Sequence, residues 1–481
     1  MSPTTSRRLS RATDGRRAAP VRHVHLGAGN FFRAHQAWYT QHAGDAGEWG
    51  IAAFTGRSPA VAEDLAPSDG LYTLAIRAAD GDRTEVISSL SAVHPGDDLE
   101  AWRGHLADPA VVLVTSTITE AGYRRGPEGG LDRDDPEVAA DIEALAADPR
   151  ADVRTAPGRL VAGLAARRAA GAGPITLVPC DNVPDNGEMV RAVVLDLADA
   201  VDEDLAAWID ENIAVVTTMV DRITPRTTDE DRAALASGGE VDGDAAGVVG
   251  GGEGGGVDDP ALVVTEPFTE WVLAGEFAAG RPAWEDAGAR FVDDITPFET
   301  RKLWLLNGSH SLMAYAATIL GHATVADAIA DPQVRGWVEA WWDLAGGHLD
   351  LQADEVNAYR AALVERYENP RIRHLLAQIA SDGSQKLPIR IVPVLRAARA
   401  AGEPTTAASR VVAAWLLHLR GVGAPVTDPK ADTLAPLVAG PLRQAASAVV
   451  AHLGFDGEDA RALSQEVFAL AEELNGRESA T

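Results

Sequence analysis

Up to about Pro225 the chain alternates short apolar runs with stretches of helical periodicity, and each run closes on a polar cluster. Runs at 21–27, 49–55, 111–119, 175–179 and 214–218 are bounded and β-branched enough to read as buried strands. Helical patterns at 136–147, 156–171 and 188–211 lie between them. The runs at 71–76 and 86–93 alternate as antiparallel strands do, an insertion in an otherwise parallel pattern. Residues 237–259 are glycine-rich and acidic, cannot bury a core, and read as a flexible surface insertion. From Pro297 onward almost everything is helical: 299–320, 332–345, 354–366, 372–380, 385–399, 406–419, 440–452 and 458–473. The pattern predicts an open α/β domain over 21–295, a helical domain over 296–481, and a mobile leader over 1–20. Such a pair is expected to leave a cleft for a ligand.

Polar clusters at strand ends matter because an open α/β sheet binds ligands there. The first strand runs into Gly27-Ala28-Gly29-Asn30-Phe31-Phe32-Arg33. A strand, Gly-x-Gly and a helix suit a dinucleotide pyrophosphate, since glycine lets the backbone approach and a helix N-terminus favours negative charge. Phe32 stands where the usual third glycine would be, and a tight turn without a ligand fits the same residues. The second strand ends in Thr55-Gly-Arg57-Ser with no acid for a ribose hydroxyl. Arg57 could instead face a 2′-phosphate or be a solvated turn residue, so NAD is expected with NADP open. Thr117 closes the third main strand, and Cys180-Asp-Asn182-Val-Pro-Asp-Asn-Gly187 and Met219-Val-Asp221-Arg222 follow later ones.

Within the first helix of the second domain, Lys302, Asn307 and His310 are five and three residues apart. On an α-helix, about 100° per residue puts them at roughly 0°, 140° and 80°. An amine, an amide and an imidazole on one face suit proton transfer at an alcohol or ketone. Spacing alone leaves open a snorkelling lysine beside a capping asparagine and a core histidine. Lysine usage favours the chemical reading: of 42 Lys plus Arg only Lys302, Lys386 and Lys430 are lysines. Arg serves as charge but not as a base, whereas a desolvated Lys can deprotonate. A second cluster, Asn369-Pro-Arg-Ile-Arg373-His374 through Asp382-Gly-Ser-Gln-Lys386-Leu-Pro388, offers Lys386 as a substrate contact or as a helix-end charge.

Composition narrows the partners. The formal net charge of -29 argues against nucleic acid and anionic membranes. A single cysteine, Cys180, excludes an internal disulfide and a thiolate metal cluster. Residues 2–20 have no apolar core of a secretory signal, and no run of about 18 apolar residues suggests a membrane span. A cytoplasmic protein, monomeric or a small homo-oligomer, acting on a small molecule is expected.

Five pieces, in order, resemble one family: residues 27–35, 180–187, 219–225, 302–310 and 382–388. The chain is similar to the polyol-specific long-chain dehydrogenases, the mannitol dehydrogenase and fructuronate reductase family. The resemblance implies a Rossmann-type doubly wound N-terminal domain, a helical substrate domain and no metal. It implies that Lys302 is the general base or acid, and that Asn307 and His310 hold the reacting oxygen. Asn182 and Asp221 would line the site, and Lys386 would touch a polyol, ketose or hexuronate. Residues 369–390 look closer to the fructuronate type, and the Arg373-His374 pair suits a carboxylate. Fructuronate reduction to mannonate is therefore expected ahead of mannitol 2-dehydrogenation. A mannitol-1-phosphate 5-dehydrogenase and a non-catalytic dinucleotide sensor are the further alternatives.

Overall fold

A computed structural model describes residues 6–126, 129–237 and 256–478. The chain divides into two compact units, Met1–Ile295 and Thr296–Thr481.

Among its described residues the first unit carries twelve strands: β1 (Val21–Leu26), β2 (Gly50–Phe54), β3 (Tyr72–Ala78), β4 (Gly81–Ile87), β5 (Leu90–His94), β6 (Leu113–Ser116), β7 (Ile175–Pro179), β8 (Ile213–Val215), β9 (Thr217–Asp221), β10 (Val263–Thr265), β11 (Glu270–Ala274) and β12 (Arg290–Val292). Six form a parallel sheet in the order β5-β2-β1-β6-β7-β8. Renumbered along the chain within that sheet this is 3-2-1-4-5-6, the doubly wound order of dinucleotide-binding domains. Its switch point lies between β1 and β6, where Gly27 and Thr117 stand. The strands read as continuous apolar runs because both faces are covered. Trp102, Leu160, Val193 and Leu197, from the helices Leu99–Leu106, Ala156–Ala170 and Asn186–Val201, bury one face. Local chemistry stops these helices where it should. Thr155 caps Ala156–Ala170 by accepting from the Gly158 N–H, and left-handed Gly171 ends it.

Strand pairing corrects one expected element. The run 86–93 is two strands: β4 pairs antiparallel with β3 and stops at Ile87, and β5 joins β2 in parallel. Alternation reports a half-buried face but not which neighbour supplies it. Likewise, the run at 214–218 divides at Val216 between β8 of the main sheet and β9, which pairs with β11.

Two stretches expected to be mobile are packed where they are described. Arg7 donates to Asp14 through both terminal guanidinium nitrogens, at 2.6 and 2.7 Å, and its backbone forms an isolated β-bridge with Val257. Leu9 is buried, and Arg11 donates to the carbonyls of Asp69, Ser88 and Leu90. Most of the glycine-rich insertion lies outside the described residues, but its final residues are anchored. Val257 is buried, and the buried Asp259 carboxylate accepts from the Thr73 and Ala261 N–H groups. Composition over a window missed single residues with partners far along the chain.

The second unit is helical. Its first helix runs without a break from Thr296 to Ala317. Around it lie Pro332–Gly346, Ala353–Glu368, Gly383–Arg390, Val392–Ala401, Thr406–Leu419, Leu442–His452 and Gly457–Glu478. The helices Val325–Ala330 and Ala431–Val438 were not expected. The stretch 372–380 is helical only over Leu376–Ile379.

Candidate active site

In the first unit the glycine turn is shaped by its neighbours. Gly27 has φ +107, and a Cβ there would lie 2.3 Å from the Thr117 carbonyl oxygen. Glycine is therefore required by the close approach of β6. Gly29 is different: φ is -86, and an added Cβ would meet only the Gly27 oxygen, at 3.7 Å. Neither packing nor backbone demands glycine there, so the missing side chain leaves room for a ligand. The Gly27 and Ala28 N–H groups both donate to the Phe54 carbonyl, and the Gly29 N–H donates to the Gly27 carbonyl. The first-turn donors of Asn30 and Phe31 have no intrahelical partner and are the ones an anion would meet. These residues fit a dinucleotide pyrophosphate.

A chain of four side chains supports this turn from below. His23 Nε2 lies 2.6 Å from Thr115 Oγ1, Thr115 Oγ1 lies 2.7 Å from His25 Nδ1, and His25 Nε2 lies 3.1 Å from Thr117 Oγ1. Thr117 donates to the Gly27 carbonyl at 2.6 Å. That one donation fixes every proton upstream: Thr117 accepts from His25 Nε2–H, Thr115 donates to His25 Nδ1, and His23 Nε2–H donates to Thr115. Both imidazoles are neutral, since burial lowers His23 to about 3 and His25 well below its ordinary value. The Thr117 hydroxyl is thus committed to positioning the turn. Asn30 accepts from the buried Arg33 at 2.6 Å, and Phe31 stacks on His35. Arg57 is exposed just beyond β2.

At the end of β7, Asn182 is exposed and Asp181 buried. The Asp181 carboxyl accepts from Tyr123 Oη–H, the Ile118 N–H and Ser116 Oγ–H, tying β7 to the turn after β6. Burial pushes this carboxyl up to about 7 against those three donors. A raised carboxyl pKa means the folded state holds the proton that the unfolded chain releases above about 3.8. Stability from this group therefore falls as pH rises from there to about 7, and is level beyond. Asp181→Asn should remove that slope, gaining a few kcal/mol relative to wild type at pH 8 compared with pH 5. Urea midpoints at the two pH values test it; an equal difference at both would refute the assignment. Asp221 is buried at the end of β9, beside a buried Arg222 whose guanidinium donates to the Ala34 and Glu266 carbonyls.

In the second unit the structure revises the helical wheel. Lys302–Asn307 is wound as a π turn, with helical backbone on both sides. A π turn closes i to i+5, so residues five apart stack along the axis. Lys302 and Asn307 therefore share a face more closely than roughly 140° on an α-helix would allow. His310 follows three residues on, in the α-helical stretch Gly308–Leu312.

A π turn needs outside partners for its carbonyls, and neighbouring side chains supply them. Trp341 Nε1–H donates to Trp304 at 2.8 Å, Trp342 Nε1–H to Leu305 at 3.0 Å and Tyr367 Oη–H to Leu306 at 3.2 Å. Ser311 Oγ–H donates to the Asn307 carbonyl at 3.1 Å. Gly308 admits this packing, since a Cβ there would lie 2.6 Å from the Trp341 ring.

The resulting face holds an unspent polar atom. Asn307 is 9% exposed. His310 is 6% exposed, and its buried Nε2 has no partner. Buried polar atoms are normally bonded, so the unpartnered His310 Nε2 is an exception among them. Burial, then His374, Arg366, Arg390 and Lys386, lower His310 well below its ordinary value, so the imidazole is neutral. Lys302 is partly exposed.

The Arg373-His374 pair separates. His374 packs edge-on against His310 with ring centroids 5.0 Å apart, while Arg373 is exposed. Consecutive residues entering Leu376–Ile379 point apart, which adjacency in sequence concealed. Lys386 donates to the Ser381 carbonyl at 2.6 Å and the Ile379 carbonyl at 3.2 Å. Arg366 and Arg390 are the cations near His310 that sequence reasoning did not single out. For Arg390 the signal was its place four residues after Lys386, one helical turn on.

The doubly wound sheet, with its glycine turn at the switch point, defines the first unit as a Rossmann-type domain suited to a dinucleotide. The chain belongs to the mannitol dehydrogenase family: the Mannitol dehydrogenase Rossmann domain matches residues 21–286 and the Mannitol dehydrogenase C-terminal domain matches 294–464. It is 37% identical over 409 residues to D-mannonate oxidoreductase of Escherichia coli (strain K12), covering 83% of this chain and 80% of that one. The solved Pseudomonas fluorescens mannitol 2-dehydrogenase, a ternary complex with NAD and D-mannitol, superposes with TM-score 0.76 at 34% identity, covering 95% and 92%. A substrate-free D-sorbitol dehydrogenase superposes with TM-score 0.85 at 28% identity, covering 99% and 97%. Among the described residues no helix is long and apolar enough to cross a membrane.

Proposed function

We propose that the chain is a metal-independent, NAD-dependent oxidoreductase acting on the secondary alcohol or ketone of an open-chain six-carbon sugar acid, D-mannonate and D-fructuronate. The observation that carries this reading is the buried, unbonded Nε2 of His310, on the same distorted helix as Lys302 and Asn307. Bound at the glycine turn, the nicotinamide dinucleotide supplies or accepts the hydride. Lys302 takes the proton from the substrate hydroxyl in oxidation and returns it in reduction; its partial exposure lets it exchange that proton with water. Asn307 and neutral His310 hold the reacting oxygen and stabilise the charge that develops on it. Asn182 and Asp221 serve the substrate, and Gly27 through Phe31 carry the pyrophosphate.

The D-mannonate oxidoreductase relative supports a sugar acid, and the relative solved with NAD supports the cofactor. That same solved relative, which also holds D-mannitol, favours D-mannitol and D-fructose as the second reading. Oxidation of NADH and NADPH with D-fructuronate and with D-fructose, side by side, separates the two. Faster turnover of D-fructuronate with NADH is expected. Turnover of D-fructose alone, with D-mannitol oxidised in reverse, would replace the sugar acid by the polyol. A clear preference for NADPH would give exposed Arg57 a role at a 2′-phosphate.

A further inference from the structure

Arg390 ends the helix Gly383–Arg390 and lies against the turn of the first helix that presents His310. Its Nη1 donates to the Asn307 carbonyl at 3.4 Å and to Ser311 Oγ at 3.3 Å, both long for such bonds. Its Nε is buried with no partner. No carboxylate among the described residues pairs with it, and burial lowers it to about 10 with only Tyr315 acting in the other direction. Buried guanidinium groups are ordinarily paired, because an uncompensated buried charge is costly. The buried Arg33, Arg167 and Arg222 each place all their guanidinium nitrogens on acceptors. Arg167 donates to five carbonyls within 3.0 Å, whereas Arg390 has two weak contacts and an idle Nε. Lys386, one turn away, has its backbone carbonyls and Asp382 at 3.9 Å. Arg390 is thus a cation held beside the Asn307–His310 face with its anion missing.

Building on the sugar-acid reading above, we propose that Arg390 is the specificity-determining residue that binds the substrate carboxylate, in the place that sequence adjacency gave to Arg373. A neutral polyol supplies no counter-charge for this group. A hexonate or hexuronate supplies one and satisfies Nε in a two-point contact, the geometry that guanidinium and carboxylate share. The surroundings favour an anion as well: Arg366, Lys386 and Arg390 all act on His310 in a chain whose formal net charge is -29. A local positive field within an acidic protein draws a small anion to this one place.

The test uses the full-length enzyme with Arg390→Met and Arg390→Lys. The readout is the ratio of kcat/KM for D-fructuronate to kcat/KM for D-fructose with NADH. Losing a charge-assisted contact should lower this ratio by roughly tenfold to a hundredfold in Arg390→Met, mostly through KM, with Arg390→Lys between it and wild type. An equal loss on both substrates would make Arg390 structural and overturn the proposal, as would an unchanged ratio. If wild type reduces D-fructose but not D-fructuronate, this inference falls while the hydride-transfer reading stands. If neither ketone is reduced, that reading falls first, and calorimetric titration with D-mannonate still decides the anion site. Binding at least tenfold tighter in wild type than in Arg390→Met would uphold it, and equal binding would overturn it.

Discussion

Replacing Lys302 by Ala is expected to lower turnover by roughly 10²- to 10⁴-fold, the range for a positioned acid–base group, while leaving NADH affinity close to wild type. The split follows from where the group stands. Lys302 opens the π turn of the second unit, whereas the glycine turn belongs to the first unit's sheet. The amine is asked to act only on the proton of the reacting hydroxyl, so its loss raises the barrier without removing a cofactor contact. Asn307 and His310 remain in the variant, and residual activity is expected from their hold on the oxygen. Lys302→Arg should rescue little, since guanidinium keeps the charge but does not give up its proton. Turnover in Lys302→Ala within a few-fold of wild type would remove Lys302 from the chemistry.

Gly27→Ala should cost both stability and cofactor affinity. At φ +107 an L-residue pays about 1–3 kcal/mol in backbone strain. The new methyl would also meet the Thr117 carbonyl at 2.3 Å, which cannot yield without moving β6. Relief by shifting the turn breaks the Thr117 bond to the Gly27 carbonyl and the alignment that passes back through His25 and Thr115. NADH affinity should fall by more than about tenfold, with a lower melting temperature. Gly29→Ala provides the contrast, because its Cβ has room in the free protein. It should melt like wild type and lose affinity only through the ligand. Equal melting losses in both variants would contradict the separate roles given to the two glycines.

Much of this was legible in the sequence where single residues announce their own constraint. The strand runs and the Gly-x-Gly after the first of them gave an open α/β sheet with a turn fit for a ligand; the strand order and its switch point came from the pairing. Lysine scarcity marked Lys302 among 42 cations. What stayed hidden depends on contacts between distant residues. The π turn leaves the apolar pattern of 299–320 intact and is held by Trp341, Trp342 and Tyr367, which no local window connects to it. Asp181 reads as one more loop acid until Tyr123 and the Ile118 N–H enclose it. Arg373 and His374 looked like a pair because they are neighbours in sequence, yet one is solvated and the other packs on His310. Arg390 closed the segment that looked closer to the fructuronate type, but only its long contacts to Asn307 and Ser311 show that it stands beside His310's helix.

The most direct test of the account is a single turnover of D-fructuronate with NADH carrying deuterium at both C4 positions, with a chelator present. The account predicts one deuterium on the new carbinol carbon of D-mannonate, at a rate the chelator does not change. Deuterium lost to solvent, a chelator-dependent rate, or NADH consumed without an alcohol product would contradict it.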